Sequence, residues 1–548
     1  MAARLDFVDL VEVPFTVPGS RFIAVRGTGE HASSLEVFHV RYEVPLAECL
    51  ALRLTPDEAP VRAAVVAGGR VTWAGVELVL LDDELRLACP AGTGVRVDVD
   101  PAPDVAIARG VDRLTLVGAA SEVSALDDDA FAVAADAVVE SWLASTPIVS
   151  PERQDMARQC WWVLGANQVD IARPGGGGTV RVVVPSKRGY VGLWQWDTYF
   201  IALGLRHTVP ELALAQLDVA LSPAPDGQLP DVVHDGGILA SSADLPPGDR
   251  QRLESQGSPS TRSGEVPLTK PPLVAWAAEL VLRHVSPARR DAWLRRQLGT
   301  LVASQDWWFD VCDTDGDGMP EYLHPYSSGL DDSPVFDHAL PLLSPDLLAY
   351  LVVEDEILAG WVRELGWPDA TAADTLAGRL EARALHVRAG MAGLWDPIDG
   401  LLRPTAGGVP VPERTVVSLL GCFAGEVPAE QRAAMLRDLH DPARFGAPFP
   451  LPTVAMDEPS FDPQRMWRGP AWVNTTYLVA EGLERSGAPA EAERLRGQAL
   501  ALVEAAGGPV EYADPCTGVR CPGATTAFGW SAALYLDLAI RERGQELY

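Results

Sequence analysis

The sequence predicts a mainly α protein: an (α/α)6 toroid over residues 151–548, preceded by an N-terminal antiparallel β-sandwich over 1–125 and a helical linker over 126–150. Three observations lead there. The chain is 548 residues long, 47% hydrophobic and 22% charged, which suits a globular protein of two domains. Its first 125 positions are filled by short apolar runs of period two between Gly, Pro and Asp turns. From about Asp127 the apolar spacing changes to three and four and keeps that period to the C-terminus.

The β part is carried by the runs RFIAVRG, LEVFHVRYEV, RVTWAGVELVLLDDELRLA, GVRVDVD and DRLTLVGA, whose regular spacing suggests two packed antiparallel sheets. Of the 16 Trp only Trp73 lies here, so chemistry is expected downstream. The linker, DDDAFAVAADAVVESWLAS, begins with acidic residues and continues as an amphipathic helix. Helical patterns follow over 151–170, 195–206, 209–221, 270–285, 287–304, 344–364, 370–390, 413–423, 428–439, 469–486, 488–506 and 525–541. They come in pairs, with short breaks inside a pair and longer ones between pairs. About twelve such helices close a toroid whose inner six face a funnel lined by the long loops. The tetraglycine at Gly175–Gly178 reads as a loop tip and not as a phosphate cradle.

Charge and cysteine usage narrow the partners. The formal charge of −31, from 44 basic and 75 acidic residues, opposes nucleic acid and anionic membrane, and no basic stripe is present. A small neutral or weakly anionic carbohydrate fits better. The acidic N-terminus lacks the apolar core of a signal peptide, and no apolar run of roughly 18 residues occurs, so a cytoplasmic protein is expected. Seven scattered Cys and nine His form no zinc pattern; the Cys read as small buried hydrophobes.

The stretch from Asp313 to Asp337, DTDGDGMPEYLHPYSSGLDDSPVFD, holds six Asp, one Glu, three Gly and three Pro. A loop that dense in carboxylates is the first place to look for chemistry. Asp313, Asp315, Asp317 and Gly318 match positions one, three, five and six of a calcium loop, with Glu321 at position nine. His324 stands where the bidentate Glu belongs, which excludes a complete EF-hand. A structural calcium held by Asp313, Asp315, Asp317, the Met319 carbonyl and Glu321 is one reading; an Asp-rich turn held by its own backbone is the other.

Other inter-helix stretches mix aromatic and hydrogen-bonding residues. YVGLWQWDTYF carries Trp194, Trp196, Asp197 and Tyr199; DGQLPDVVHD carries Gln228, Asp231 and His234; TKPPLVAW carries Lys270; MWRGPAWVN carries Trp467 and Arg468; VEYADPCTG carries Glu511 and Asp514. Aromatic faces beside carboxylates suit sugars, whose C–H faces stack while their hydroxyls need acceptors.

In order and spacing, LWQWDTYF, GQLPD, KPPLVAWA, DGDGMPEYLHPYSSGLDDSP, MWRGPAWVN, VEYADPCTG and FGWSAALYLDL resemble glycoside hydrolase family 63 and its trehalase-like relatives, mannosylglycerate and glucosylglycerate hydrolases among them. The resemblance covers about 150 to 541 and implies an (α/α)6 catalytic domain that hydrolyses α-glycosidic bonds with inversion. Such chemistry needs one carboxylic acid to protonate the leaving oxygen and one carboxylate to activate water, about 6.5–9.5 Å apart. The family pattern maps the acid to Asp331 and the base to Glu511. Asp332 stands where the family commonly has Asn, so sequence alone leaves the acid open between the two. Asp197, Arg468, Trp194, Trp196, Gln228 and Trp467 map to residues that hold the nonreducing sugar. Lys270, where Gln is frequent, either meets an anionic aglycone or neutralises the acidic funnel. The expected activity is that of an exo-acting α-glycosidase on a small α-glucoside, a disaccharide or glucosylglycerate, with an α-mannoside such as mannosylglycerate as the alternative. No cofactor is needed for that chemistry. A noncatalytic sugar-binding toroid is a second class, and a phosphorylase is disfavoured because Glu511 would repel phosphate. A β-domain loop that closes the funnel against long substrates is a further expectation.

Overall fold

The computed structural model describes residues 4–58, 64–99, 105–118, 121–222, 226–240, 247–259 and 266–544. Among the described residues the N-terminal part contains ten strands in two antiparallel sheets. One, in the order β1 (Phe22–Arg26), β2 (Leu35–His39), β3 (Leu50–Pro56), then β8, is crossed over by the chain. The other is formed by β4 (Val65–Ala67), β5 (Arg70–Trp73), β6 (Val76–Leu81), β7 (Glu84–Ala88), β10 (Arg113–Gly118) and β9 (Val105–Arg109); β8 is Val95–Val99. Alternate residues from both sheets, including Val37, Leu52, Leu54, Val71, Trp73, Leu78, Leu85 and Leu116, enter one continuous apolar core. Period-two sequence thus becomes buried face, as β-strand geometry requires.

Helix α1 (Asp128–Ala144) follows. Its acidic start is a cap: the Asp127 side chain accepts from the Ala130 amide, and Asp128 and Asp129 lie at the positive end of the helix. Then come α2 (Gln154–Ala166), α3 (Gln195–Leu205), α4 (Pro210–Ala220), α5 (Pro247–Ser255), α6 (Val274–Leu282), α7 (Pro287–Val311), α8 (Pro345–Leu365), α9 (Ala370–Ala392), α10 (Val416–Leu420), α11 (Ala429–His440), α12 (Val473–Arg485), α13 (Pro489–Ala505) and α14 (Gly529–Glu542). Helices α3, α6, α8, α10, α12 and α14 pack each on the next, and α14 packs back on α3, so they close a ring. Helices α3, α6 and α14 are buried on almost all sides, and most of their residues are apolar, as such burial requires. Within a pair the connections are short, as at 206–209, 283–286, 366–369 and 486–488; those that lead into each ring helix are long. All six long connections therefore gather at the end of the ring where the inner helices begin.

Several elements differ from the sequence expectation, among them α5, which no expected helix covered, and α6, α12 and α14, which begin four residues later than expected. The segment 168–170, read as helix, belongs to strand β11 (Gln168–Ala172), which pairs with β12 (Thr179–Val183) across the glycine-rich tip. Alternating Val169, Ile171, Val180 and Val182 form a small core of their own, which overrides the helical period before them. Helix α7 runs on to Val311 because Trp307 and Trp308 continue its buried face. Helix α10 spans only Val416–Leu420 before tightening into a 3-10 turn at Gly421–Ala424. All seven Cys are free; Cys516 is exposed, unlike the buried hydrophobe expected of it. Among the described residues no helix is long and apolar enough to cross a membrane.

The β part is docked on the ring by polar contacts, of which those of Lys187 are buried. The Lys187 Nζ donates to the Thr16 hydroxyl (3.1 Å) and the Val17 carbonyl (3.2 Å), and Arg188 donates to the Val11 and Glu12 carbonyls (3.0 and 3.2 Å). Arg188 also reaches the Thr526 hydroxyl (3.1 Å), and Arg520 pairs with Glu12 (3.0 Å).

Candidate active site

The long connections bring the sequence-predicted stretches together at the N-termini of the ring helices. Trp194, the N-cap residue of α3, lies in a short strand paired with Val232, which sets DGQLPDVVHD beside LWQWDTYF. Gln195 fastens a third stretch. Its amide donates to the Asp231 carbonyl (3.0 Å), and its Oε1 accepts from the Lys270 amide (2.9 Å) and the Thr269 hydroxyl (3.2 Å). Sequence reasoning missed this residue. The available signal was an amide side chain between two tryptophans, where a polar group that becomes buried survives only if satisfied.

Glu511 and Asp331 differ in the way that matters for acid and base work. Glu511 is buried and accepts two hydrogen bonds, from the Tyr190 hydroxyl (3.0 Å) and the Thr525 amide (2.9 Å). Burial pushes its pKa up, and both donors oppose that rise by stabilising the carboxylate. The chain on either side of these donors, at Lys187–Arg188 and Thr526, is tied to the β part by the contacts above. Asp331 has no such support: its Oδ1 is closed off from solvent and has no hydrogen-bond partner. Burial pushes its pKa up to about 7; Lys270 opposes the rise, while Asp231, Asp332 and Glu511 add to it. One carboxyl thus retains its proton near neutrality while the other is held as an acceptor, a division that matches acid and base.

Asp332 is differently employed. It accepts from the Trp467 amide (2.9 Å) and from Arg465 (3.3 Å), and so braces the loop that carries Trp467. Trp467 stacks on Trp472 at 3.6 Å between ring centres, and Trp472 on Tyr512, next to Glu511, at 4.6 Å. Trp196 packs edge-on against Phe200 and Trp530 and at a tilt against Trp467. Trp194 is half-buried, with Tyr190 at its edge. Asp197 is buried in the first turn of α3; burial pushes its pKa well up, Lys270 opposing and Glu511 adding. Gln228 is buried and donates to the Leu268 carbonyl (2.7 Å).

Two of the mapped cations are already engaged. The Lys270 ammonium, buried, pairs with Asp231 (3.0 Å) and donates to the Tyr326 carbonyl (2.7 Å). Burial acts to lower its pKa, but Asp231, Asp331 and Asp197 outweigh it and keep it charged. Of the two alternatives for Lys270, this arrangement favours neutralisation of the funnel's carboxylates. The Arg468 guanidinium holds Asp337 through both terminal nitrogens (2.8 and 2.5 Å), a bidentate pair that commits the fork to the loop after Asp331.

Gly329 sets how closely that loop approaches. Its φ is +71°, and a Cβ there would lie 2.4 Å from the Trp196 ring. Gly329→Ala is therefore expected to combine backbone strain of roughly 1–3 kcal/mol with displacement of Asp331. Since a misplacement of about 1 Å costs on the order of 10²-fold in rate, kcat/KM should fall by about that factor in a protein whose circular dichroism is unchanged. Near-wild-type kinetics would show that the approach is not needed.

In the acidic turn, carboxylate oxygens of Asp313, Asp315 and Asp317 lie within 4.8 Å of one another. Asp313 also accepts from the Gly316, Asp317 and Gly318 amides at 2.9–3.1 Å. Glu321 stands outside this group, bonded to the Thr314 hydroxyl at 2.5 Å, and the Met319 amide donates to Asp317 (2.8 Å).

The chain is similar to proteins of known activity over the ring. It is 31% identical over 411 residues to the mannosylglycerate hydrolase of Thermus thermophilus, covering 64% of this chain and 95% of that protein. It is 24% identical over 450 residues to the glucosylglycerate hydrolase of Mycolicibacterium hassiacum, covering 68% and 97%. The crystal structure of a GH63 mannosylglycerate hydrolase from Thermus thermophilus in complex with Tris and D-glycerate superposes with a TM-score of 0.54 at 26% identity, over 65% of this chain and 95% of that one. Neutral trehalase Nth1 from Saccharomyces cerevisiae shares the fold, with a TM-score of 0.53 at 17% identity over 69% and 78%. The mannosylglycerate hydrolase MGH1-like glycoside hydrolase domain matches residues 190–531, which run from the tyrosine that supports Glu511 to the start of the last ring helix, and the chain belongs to this family of glycoside hydrolases within family 63.

Proposed function

We propose that this glycoside hydrolase is an inverting, exo-acting α-glycosidase for a small α-hexoside, with a glycosylglycerate, mannosyl or glucosyl, as its substrate. The contrast between the buried, unsupported Asp331, whose pKa burial pushes up to about 7, and the doubly supported Glu511 carries the reading. Asp331 donates its proton to the glycosidic oxygen as the bond to the anomeric carbon breaks. Glu511 takes a proton from the water that attacks that carbon from the other face, so the products are a free sugar of inverted configuration and the intact aglycone. Asp197 and Gln228 take the nonreducing sugar's hydroxyls, with Trp194, Trp196 and Trp467 as its aromatic surround. Lys270 and Arg468 hold the surrounding carboxylates in place. The two N-terminal sheets are taken as a sandwich, since inward residues of both share one core. A panel of α-mannosylglycerate, α-glucosylglycerate and trehalose, followed by sugar release, tests the substrate. Turnover of a glycerate substrate at least tenfold above trehalose is expected; preference for trehalose would reject glycerate as the aglycone.

The Asp313, Asp315 and Asp317 group suits an oxygen-liganded divalent cation, and we read it as a structural calcium site that braces the loop leading to Asp331. Calcium at 100-fold over its dissociation constant should add about 2.7 kcal/mol to the stability of chelator-stripped protein. A Tm unmoved by calcium, or moved equally in Asp315→Asn, would remove the ion.

A further inference from the structure

The family match begins at residue 190, so the β part lies outside the matched domain. One of its side chains nevertheless lies among the site residues. Tyr42, in the connection from β2 to β3, stacks on His234 (ring centres 3.9 Å apart, 28° between planes) and packs against Trp194 (5.7 Å). Its amide donates to Asp235 (3.4 Å), and its hydroxyl donates to Glu43 (3.1 Å). Space is reserved for it: a Cβ on Gly192 would lie 2.6 Å from the Tyr42 ring.

Two lines of contacts meet at this ring. Through Trp194 it reaches Tyr190, whose hydroxyl supports Glu511. On the other side, the Asp231 carboxylate acts on its hydroxyl, and Asp231 pairs with Lys270, which in turn acts on Asp331. Tyr42 is half-buried, and the His234 Nε2 beneath it is closed off from solvent with no hydrogen-bond partner. Asp331 protonates the leaving oxygen in the reading above, so the ring that stands beside Asp231, the carboxylate paired with Lys270, belongs to the leaving-group side, where a half-buried aromatic face suits a short hydroxylated group.

We propose that Tyr42, supplied by the β part, is a specificity-determining residue that walls the leaving-group side of the site and limits the aglycone to about the size of glycerate or a single sugar. This rests on the glycosidase reading above but not on glycerate as the preferred aglycone. The test compares Tyr42→Ala, Tyr42→Phe and Gly192→Ala with wild type on three probes for both mannose and glucose: the α-glycosyl fluoride, which has no aglycone to contact, the α-glycosylglycerate and an α-linked trisaccharide. Tyr42→Ala should raise the ratio of trisaccharide to fluoride kcat/KM by tenfold or more. Gly192→Ala, which displaces the ring, should shift the ratio in the same direction, whereas Tyr42→Phe, which keeps the ring, should stay within threefold of wild type. An unchanged ratio in folded Tyr42→Ala and Gly192→Ala, or an equal shift in Tyr42→Phe, overturns the proposal. Wild-type turnover of the fluoride but not of the glycerate would reject the glycerate reading and leave this ratio decisive. Absence of wild-type turnover on every probe would overturn the glycosidase reading and this one with it.

Discussion

Replacement of Asp331 by Asn is expected to lower kcat/KM by roughly 10²–10⁴-fold on a substrate with a poor leaving group, and Glu511→Gln by a similar factor. The two variants should part company on an α-glycosyl fluoride, whose leaving group needs little protonation. Asp331→Asn should recover there and Glu511→Gln should not, because water still requires its base. The pH profile follows from the same assignment. Asp331 acts only while protonated, so activity declines as pH rises through about 7. Glu511 acts only while ionised, so activity declines as pH falls through its own pKa, which burial has raised. The alkaline limb should vanish in Asp331→Asn, and its survival there would assign that limb to another group. Asp332→Asn should keep the limb, since Asp332 is bonded to the Trp467 amide and Arg465.

The second large effect is expected at Lys270. Lys270→Met removes a buried cation and leaves Asp231 uncompensated; breaking a buried pair in this way costs roughly 3–5 kcal/mol, measurable as a shift of the urea midpoint. Because Lys270 lowers the pKa of Asp331, its loss should also move the alkaline limb to higher pH. Adding Asp231→Asn removes the stranded carboxylate and should restore most of the stability; because Asp231 itself raises the pKa of Asp331, it should also move the limb part of the way back. A Lys270→Met protein as stable as wild type, with an unmoved limb, would mean that the pair with Asp231 carries neither role.

The ring was legible in the sequence because its signal is repetitive: paired amphipathic segments with short and long breaks in alternation need no tertiary information. The β part was equally legible as alternating strands. What escaped is what depends on partners distant in the chain. The β11–β12 hairpin was hidden by a helical period that runs directly into it, and only pairing of Val169 with Val182 across the glycine tip reveals it. Gln195, Tyr190 and Thr525 are ordinary residues by type, and they matter because of the groups they face: the Lys270 amide for the first, Glu511 for the other two. Lys270 and Arg468 show the converse. Lys270 reads as either a contact for an anionic aglycone or a counter-charge to the funnel, and Arg468 as a sugar contact by resemblance; their partners within the protein, Asp231 and Asp337, lie too far along the chain to be read from it. Glu354 lay inside a helical pattern and drew no notice, though its carboxylate accepts the Ala275 and Trp276 amides (both 2.8 Å) and so caps α6, the helix that follows Lys270.

The most direct test is proton NMR of the first product as wild-type enzyme cleaves its best α-glycoside, recorded before mutarotation equilibrates the anomers. The β-anomer as first product, at a rate that Asp331→Asn and Glu511→Gln both reduce by roughly 10² or more, is the predicted result. The α-anomer as first product, or undiminished hydrolysis in either variant, would contradict the single-displacement pair of Asp331 and Glu511.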